Sequence, residues 1–108
     1  YHAVSVLADA ITKGVFSNVD EALAAMVSTS TVPYYEGIAD YMKLGYIPLD
    51  KSGTAASSTL EYAYDDWTIY QTAVLSRKSL MYCKPMVKVL SKAIHGISLF
   101  MCHTMYLA

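Results

Sequence analysis

The sequence has few of the residues that would indicate a metal site, a disulfide framework or a nucleic-acid surface. Only two of its 108 residues are cysteines, Cys83 and Cys102, and they lack the close spacing of zinc ligands. A disulfide between them is neither required nor excluded by the sequence. The formal net charge of −1 gives no strong attraction for phosphate groups. We therefore expect no metal site in this chain and no nucleic-acid partner.

A long apolar run and a basic leader are also lacking. The most apolar stretch, residues 93–108, is interrupted by His95, Gly96 and His103. It is shorter than the roughly 20 residues that a bilayer span requires. The chain starts Tyr1-His2-Ala3 without a basic leader region, so we predict neither a signal peptide nor a membrane span. A start inside a helical pattern is what a segment of a longer protein would show.

Acidic residues are absent after Asp66, whereas five cations follow it: Arg77, Lys78, Lys84, Lys88 and Lys92. The chain is 55% hydrophobic and 16% charged, which is apolar for a small independent domain. These shifts predict two regions, residues 1–75 and a divergent helical tail at residues 76–108. The three lysines at four-residue spacing favour a solvated helix face over a surface for anionic membranes.

Apolar residues recur at helical spacing in the first part of the chain, which predicts an all-α fold of helical hairpins. Gly14 is placed to end a first helix. Asn18, three residues before Glu21, forms a capping-box pattern that predicts the start of a second helix.

Two further helices are predicted before residue 76. Pro33 suits the first turn of a third helix, and Gly45 suits its end. Ser57 or Ser58 is expected to cap a fourth helix that runs to about Leu75. Four tyrosines are expected to pack between helices: Tyr34, Tyr35, Tyr41 and Tyr46.

Three carboxylates and three large aromatic rings fall within residues 59–67. On a helix, Glu61 and Asp65 share one face, and Tyr64 and Trp67 share another. Clustered acids are costly to bury without a partner, and acids flanked by rings suit a sugar-binding or cation-binding pocket. The alternative is an amphipathic helix with a solvated acidic face, in which Trp67 anchors the core and Asp66 pairs with a lysine of another segment.

Short sequence blocks stand in a fixed order along residues 1–74. They are Tyr1-His2-Ala3-Val4, Ala8-Asp9-Ala10, Lys13-Gly14, Asp20-Glu21-Ala22, Ala25-Met26, the run from Tyr41 to Lys51 and the run from Ser58 to Trp67, with Ile69 and Gln71 after it. In this order and at these spacings the blocks resemble the calcium-dependent exo-α-mannosidases of glycoside hydrolase family 92.

The resemblance implies that residues 1–75 are a segment of an (α/α)6 barrel, which in such enzymes follows a β-sandwich domain. It implies removal of terminal α-linked mannose, for example α-1,2-linked, with inversion and with calcium helping to hold the sugar. It also implies export to the periplasm or cell surface, and mannose-containing glycans as partners of the full-length enzyme. The family's catalytic acid and base lie in Glu-Gly-Asn and Gly-Asn-Glu elements that this chain lacks.

Three residues are candidates for contact with the sugar: His2, Glu61 and Asp65. An inverting pair stands roughly 6.5–9.5 Å apart, whereas side chains one helical turn apart have Cβ atoms about 5–6 Å apart, so we assign no catalytic residue. A buried hydrogen-bond network is an equal alternative for Glu61 and Asp65, and a core position is favoured for His2.

Two hypotheses of function follow. The first is a glycoside hydrolase fragment that is inactive alone and associates through apolar helix faces left without neighbours. The second is a helical interaction module that binds a partner protein with its acidic and aromatic face and its basic, Met-rich tail.

Overall fold

The computed structural model of the chain describes residues 1–76, which form four α-helices. Helix α1 spans Ala3–Thr12, α2 spans Val19–Ser30, α3 spans Ile38–Leu44 and α4 spans Ala55–Leu75. Helices α1 and α2 pack on each other and on α4. No strand is present in these 76 residues, so the predicted all-α fold is confirmed. The predicted tail, both cysteines, His95 and His103 lie outside the described residues.

The predicted boundaries of the first two helices are confirmed. Helix α1 gives way to Gly14, whose φ of 71° is the left-handed conformation that glycine adopts at helix ends. At the start of α2 the Asn18 side chain accepts a hydrogen bond from the Glu21 N–H at 3.4 Å. The Asn18 amide also donates to a Glu21 carboxylate oxygen at 2.6 Å, so the two side chains cap the helix together.

Helix α3 begins at Ile38, five residues later than the start predicted at Pro33. The reason lies at Gly37, whose φ of 80° is incompatible with a continuous right-handed helix. Residues 33–37 form turns instead, and the Tyr35 carbonyl accepts a hydrogen bond from the Ile38 N–H at 2.8 Å. The end of α3 at Gly45, with a φ of 86°, is as predicted.

Helix α4 starts at Ala55, before the predicted caps Ser57 and Ser58, and its N-cap is Thr54. Ser57 does not cap, because its hydroxyl donates to the Thr54 carbonyl from within the first turn at 3.0 Å. The predicted end near Leu75 is confirmed.

Helix α4 joins two hydrophobic clusters. The first lies among α1, α2 and α4 and consists of Val4, Ala8, Leu23, Met26, Ile69 and Ala73. The second lies around α3 and the first half of α4 and consists of Ile38, Tyr41, Ile47, Ala55, Tyr62 and Ala63. Tyr1 packs against both clusters and is thus a contact that they share.

The aromatic residues that are buried are only partly the ones predicted. Tyr41 is buried as expected, but the side chains of the other three predicted packing residues are exposed: Tyr34, Tyr35 and Tyr46. Trp67 is 46% exposed, so its prediction as a core anchor is wrong. At 3.6 residues per turn, Ile69 lies below Tyr62 on the buried face of α4, whereas Tyr64 and Trp67 fall on the outer face. Their two ring centroids are 5.9 Å apart.

Within residues 1–76, no helix has both the length and the apolar character needed to cross a bilayer.

Three glycine substitutions should lower the free energy of unfolding to graded extents. Gly53→Ala meets open space and should change it little, whereas Gly14→Ala adds the strain of a left-handed alanine, about 1 kcal/mol. Gly37→Ala adds to that strain a Cβ only 3.0 Å from the Ile47 side chain, so it should cost most. Urea denaturation followed by helical circular dichroism measures all three. A Gly37→Ala chain as stable as the Gly53→Ala control would contradict the observed position of Gly37 against Ile47.

Candidate functional site

The structure brings the three predicted sugar-contact residues together, two of them exposed and one buried; we call His2, Glu61 and Asp65 the outer cluster. Glu61 and Asp65 lie one turn apart on α4, and His2 is the N-cap residue of α1. His2 Nε2 lies 3.5 Å from Glu61 Oε2, and His2 Nδ1 lies 3.6 Å from Asp65 Oδ2. The imidazole thus lies between two carboxylates, with one nitrogen facing each.

The favoured core position for His2 is wrong, because 62% of its side chain is exposed. Its place just before α1 sets the ring against Glu61 and Asp65 of α4, with most of the ring in solvent. The ring is therefore available to a ligand from solvent.

Asp65 is the buried member of the outer cluster, with only 4% of its side chain exposed. Its Oδ2 atom has no hydrogen-bond partner among the described residues and points to His2. Burial raises the pKa of this carboxyl, the nearby Glu61 carboxylate raises it further, and His2 and the α-amino group of Tyr1 oppose the shift. A buried acceptor without a donor is costly, and because His2 covers Oδ2, a ligand hydroxyl could donate to it only where the His2 ring moves aside.

Directly beneath the outer cluster, the next carboxylate of α4 is held by two tyrosines. The Tyr1 hydroxyl donates to Asp66 Oδ1, and the Tyr41 hydroxyl donates to Asp66 Oδ2 at 3.2 Å. We call Tyr1, Tyr41 and Asp66 the tyrosine clamp. It links the residue before α1, helix α3 and helix α4 at one buried carboxylate. The Tyr62 ring packs between them, with centroids 4.9 Å from Tyr1 and 5.6 Å from Tyr41.

The predicted partner of Asp66, a lysine of another segment, is wrong for the described residues. The structural role of Asp66 agrees with the sequence-based interpretation, but its partners are tyrosine hydroxyls and not a lysine. Sequence reasoning missed Tyr1 and Tyr41 as partners, because both contacts span long sequence separations that no local spacing encodes. The available signal was helical spacing, which places Asp66 on the same face of α4 as Tyr62, four residues before it.

Burial dominates the electrostatics of the clamp. It raises the pKa of Asp66 to about 6, with the charge of Asp65 adding to the effect and the two hydroxyl donors opposing it. The pKa values of the Tyr1 and Tyr41 hydroxyls are raised well above the usual range, first by burial and then by the Asp66 carboxylate. Burial also raises the pKa of Tyr62, to about 12.

No group of three or more His, Cys, Asp or Glu side chains within residues 1–76 is arranged to hold a metal ion. In the outer cluster the two carboxylates face different nitrogens of His2, so the three residues do not converge on one point.

The outer cluster has the chemistry of a hydroxyl-binding surface. It offers the exposed carboxylate of Glu61 and the exposed imidazole of His2, with the buried Asp65 carboxylate behind the ring. Glu61 and Asp65 lie side by side and approach the same ring, which suits shared hydrogen bonding better than attack from opposite sides of a sugar.

Comparison of the sequence with models of known protein families shows the family of this chain. A model of the glycosyl hydrolase family 92 catalytic domain matches residues 1–85. The chain belongs to this family. The matched region includes the whole outer cluster and the tyrosine clamp and continues past Leu75. No curated protein and no solved structure matches the chain. The resemblance to glycoside hydrolase family 92 is thereby confirmed.

The raised pKa of Asp66 predicts that mild acid stabilises residues 1–76. Since the carboxyl binds its proton more tightly in the fold (pKa about 6) than in the unfolded chain (3.8), its favourable contribution is fully present below pH 3.8. That contribution is lost as the pH rises through 6. Over the whole range from below pH 3.8 to well above pH 6, the loss in the free energy of unfolding is about 2–3 kcal/mol. Urea denaturation at pH 5 and pH 7 should show the higher free energy of unfolding at pH 5.

Asp66→Asn should flatten this pH dependence, because the asparagine side chain does not titrate. Asp50→Asn, which changes an exposed loop carboxylate, is the matched control and should leave the dependence intact. An unchanged pH dependence in Asp66→Asn would show that another group is responsible.

Proposed function

We propose that this chain is a segment of an exo-acting α-mannosidase that releases terminal α-linked mannose with inversion, and that it is inactive alone. The observation that supports the proposal is the family match over residues 1–85 together with the exposed outer cluster inside the matched region. The catalytic Glu-Gly-Asn and Gly-Asn-Glu elements implied by the resemblance are absent from the sequence. The chain would then supply a wall of the sugar pocket and none of its catalytic groups.

In this proposal the outer cluster contacts sugar hydroxyls. Asp65 Oδ2 has no donor of its own among the described residues and is buried against His2, so in this proposal a sugar hydroxyl donates to it by displacing the exposed His2 ring. Glu61, with 55% of its side chain exposed, is reached from the same side. Carboxylate acceptors suit polyols because a hydrogen bond to a charged group contributes more than one between neutral groups.

The calcium of the full-length enzyme would be held by residues of other segments, since the described residues do not fit it. The glycan substrate and export to the periplasm or cell surface are parts of the same proposal and rest on the resemblance.

The first test separates a pocket role of Asp65 from a purely structural one. Asp65→Asn removes a buried charge without a hydrogen-bonded partner, so the free energy of unfolding of this chain should stay equal or rise. In a complete family 92 enzyme, the same substitution at the matching aspartate should lower kcat/KM for a mannoside about 10- to 100-fold, the loss of one charged hydrogen bond.

Asp50→Asn is the matched control in both measurements. A loss of stability in the Asp65→Asn chain, combined with unchanged activity of the substituted enzyme, would contradict the pocket role and support a structural network. Hydrolysis of a chromogenic α-mannoside by the chain alone, above the rate without protein, would contradict the proposal that it lacks catalytic groups.

The outer face of α4 supports a second function, binding of a protein partner. Four apolar residues are exposed along this face, namely Leu60, Tyr64, Trp67 and Val74. An apolar stripe of this kind marks a contact surface, either for the missing neighbours of a barrel or for another protein.

Self-association of the chain should depend on this outer face of α4. Trp67→Ala should shift the sedimentation coefficient toward the monomer, because it removes the largest exposed ring. Tyr34→Ala, at a tyrosine that is 90% exposed and lies elsewhere, is the control. A wild-type chain that stays monomeric and melts cooperatively at high temperature would count against both the barrel segment and the exposed contact surface.

A further inference from the structure

The tyrosine clamp and the outer cluster are adjacent in sequence at two places. Tyr1 precedes His2, and Asp65 precedes Asp66. The inner members of these pairs are joined by the hydrogen bond from the Tyr1 hydroxyl to Asp66 Oδ1. The outer members face each other across the 3.6 Å between His2 Nδ1 and Asp65 Oδ2. The two contacts thus connect the same pair of dipeptides, the inner one through the buried Asp66 carboxylate and the outer one through the exposed His2 ring.

We propose that Asp66 is a positioning residue that, through the hydroxyl of Tyr1, holds His2 over Glu61 and Asp65. This inference rests on the proposed function, since it assigns the residue that sets the geometry of the sugar-facing cluster. Asp66 does not touch the sugar in this arrangement; it acts through Tyr1 on the residue that follows it.

The contacts of His2 itself are too weak to fix its side chain. The exposed pair with Glu61 contributes about 0–1 kcal/mol, the 3.6 Å contact with Asp65 Oδ2 is not a hydrogen bond, and the His2 side chain makes no capping hydrogen bond to α1. Its backbone is better held, because the His2 carbonyl accepts a hydrogen bond from Ser5 Oγ at 3.0 Å. The stronger restraint comes from Tyr1, whose ring packs on Tyr62 and whose hydroxyl reaches a buried carboxylate.

Tyr41 provides a matched comparison within the same clamp. Its hydroxyl also donates to Asp66, at the other carboxylate oxygen, and its ring also packs on Tyr62. Tyr41 lies on α3, however, and is adjacent to no residue of the outer cluster. Loss of either hydroxyl removes one hydrogen bond from Asp66, but only loss of the Tyr1 hydroxyl releases the residue before His2.

The test compares Tyr1→Phe with Tyr41→Phe in the full 108-residue chain, at a concentration where sedimentation shows a monomer. The readout is the His2 side-chain rotamer, taken from the three-bond couplings of its Cβ protons by NMR after assignment with a His2→Gln chain. We expect one rotamer in the wild type and in Tyr41→Phe, and rotamer averaging in Tyr1→Phe. Equal behaviour of His2 in the two phenylalanine variants would overturn the proposal.

Asp66→Leu keeps the inference testable if Tyr1→Phe does not fold, as judged by its helical circular dichroism. Leucine offers no acceptor oxygen to either tyrosine hydroxyl, so the hydrogen bond from Tyr1 is lost and His2 should again show averaging. A single His2 rotamer in a folded Asp66→Leu chain would contradict the role of Asp66.

A separate titration with methyl α-mannoside distinguishes failure of this inference from failure of the proposed function. Absence of mannoside-induced shifts at the outer cluster would count against the sugar-facing role and leave the rotamer result unaffected. Mannoside-induced shifts together with an unchanged His2 rotamer in Tyr1→Phe would overturn only the inference about Asp66.

Discussion

The described fold depends on the burial of one carboxylate under two tyrosine hydroxyls. Asp66 is 3% exposed and accepts from Tyr1 and Tyr41, which lie 65 and 25 residues away in sequence. An ionised carboxylate in such surroundings is costly, and two hydroxyl donors offset part of that cost, since its pKa stays raised to about 6. The same arrangement fixes the position of three segments relative to one another, since the residue before α1, helix α3 and helix α4 meet at one side chain.

This constraint also organises the surface. Helix α4 carries two consecutive carboxylates; Asp66 faces the tyrosines and Asp65 faces His2. Neither carboxylate is neutralised by a lysine or arginine among the described contacts, so burial raises the pKa of both. Two buried carboxylates with raised pKa values therefore lie in or beside the outer cluster, within the region that matches the glycoside hydrolase domain. Carboxylates with raised pKa values beside an open polar surface are typical of functional sites.

Much of the local structure could be predicted from the sequence, because local signals encode it. The Asn18 and Glu21 cap, the glycine ends of α1 and α3, and the pairing of Tyr64 with Trp67 follow from short spacings. The grouping of Glu61 with Asp65 follows from helical periodicity. Those signals also place the acidic and aromatic segment within one long helix.

The errors arose where long-range packing decides. Pro33 satisfies the local rules for a helix start, but the left-handed backbone at Gly37 interrupts any helix that would begin there. Trp67 and Tyr62 are equally suited to a core in sequence, and only the packing of α4 against Tyr1 and Tyr41 selects Tyr62. The partners of Asp66 and the exposed position of His2 depend on contacts of the same long range.

The most direct measurement is the titration of the Asp66 side-chain carboxyl carbon by NMR, with assignment from the Asp66→Asn chain. Burial beneath two tyrosine hydroxyls and beside Asp65 predicts a midpoint near pH 6. A midpoint near 3.8, that of an ordinary aspartate, would show that Asp66 is solvated and that the tyrosine clamp does not hold the fold together.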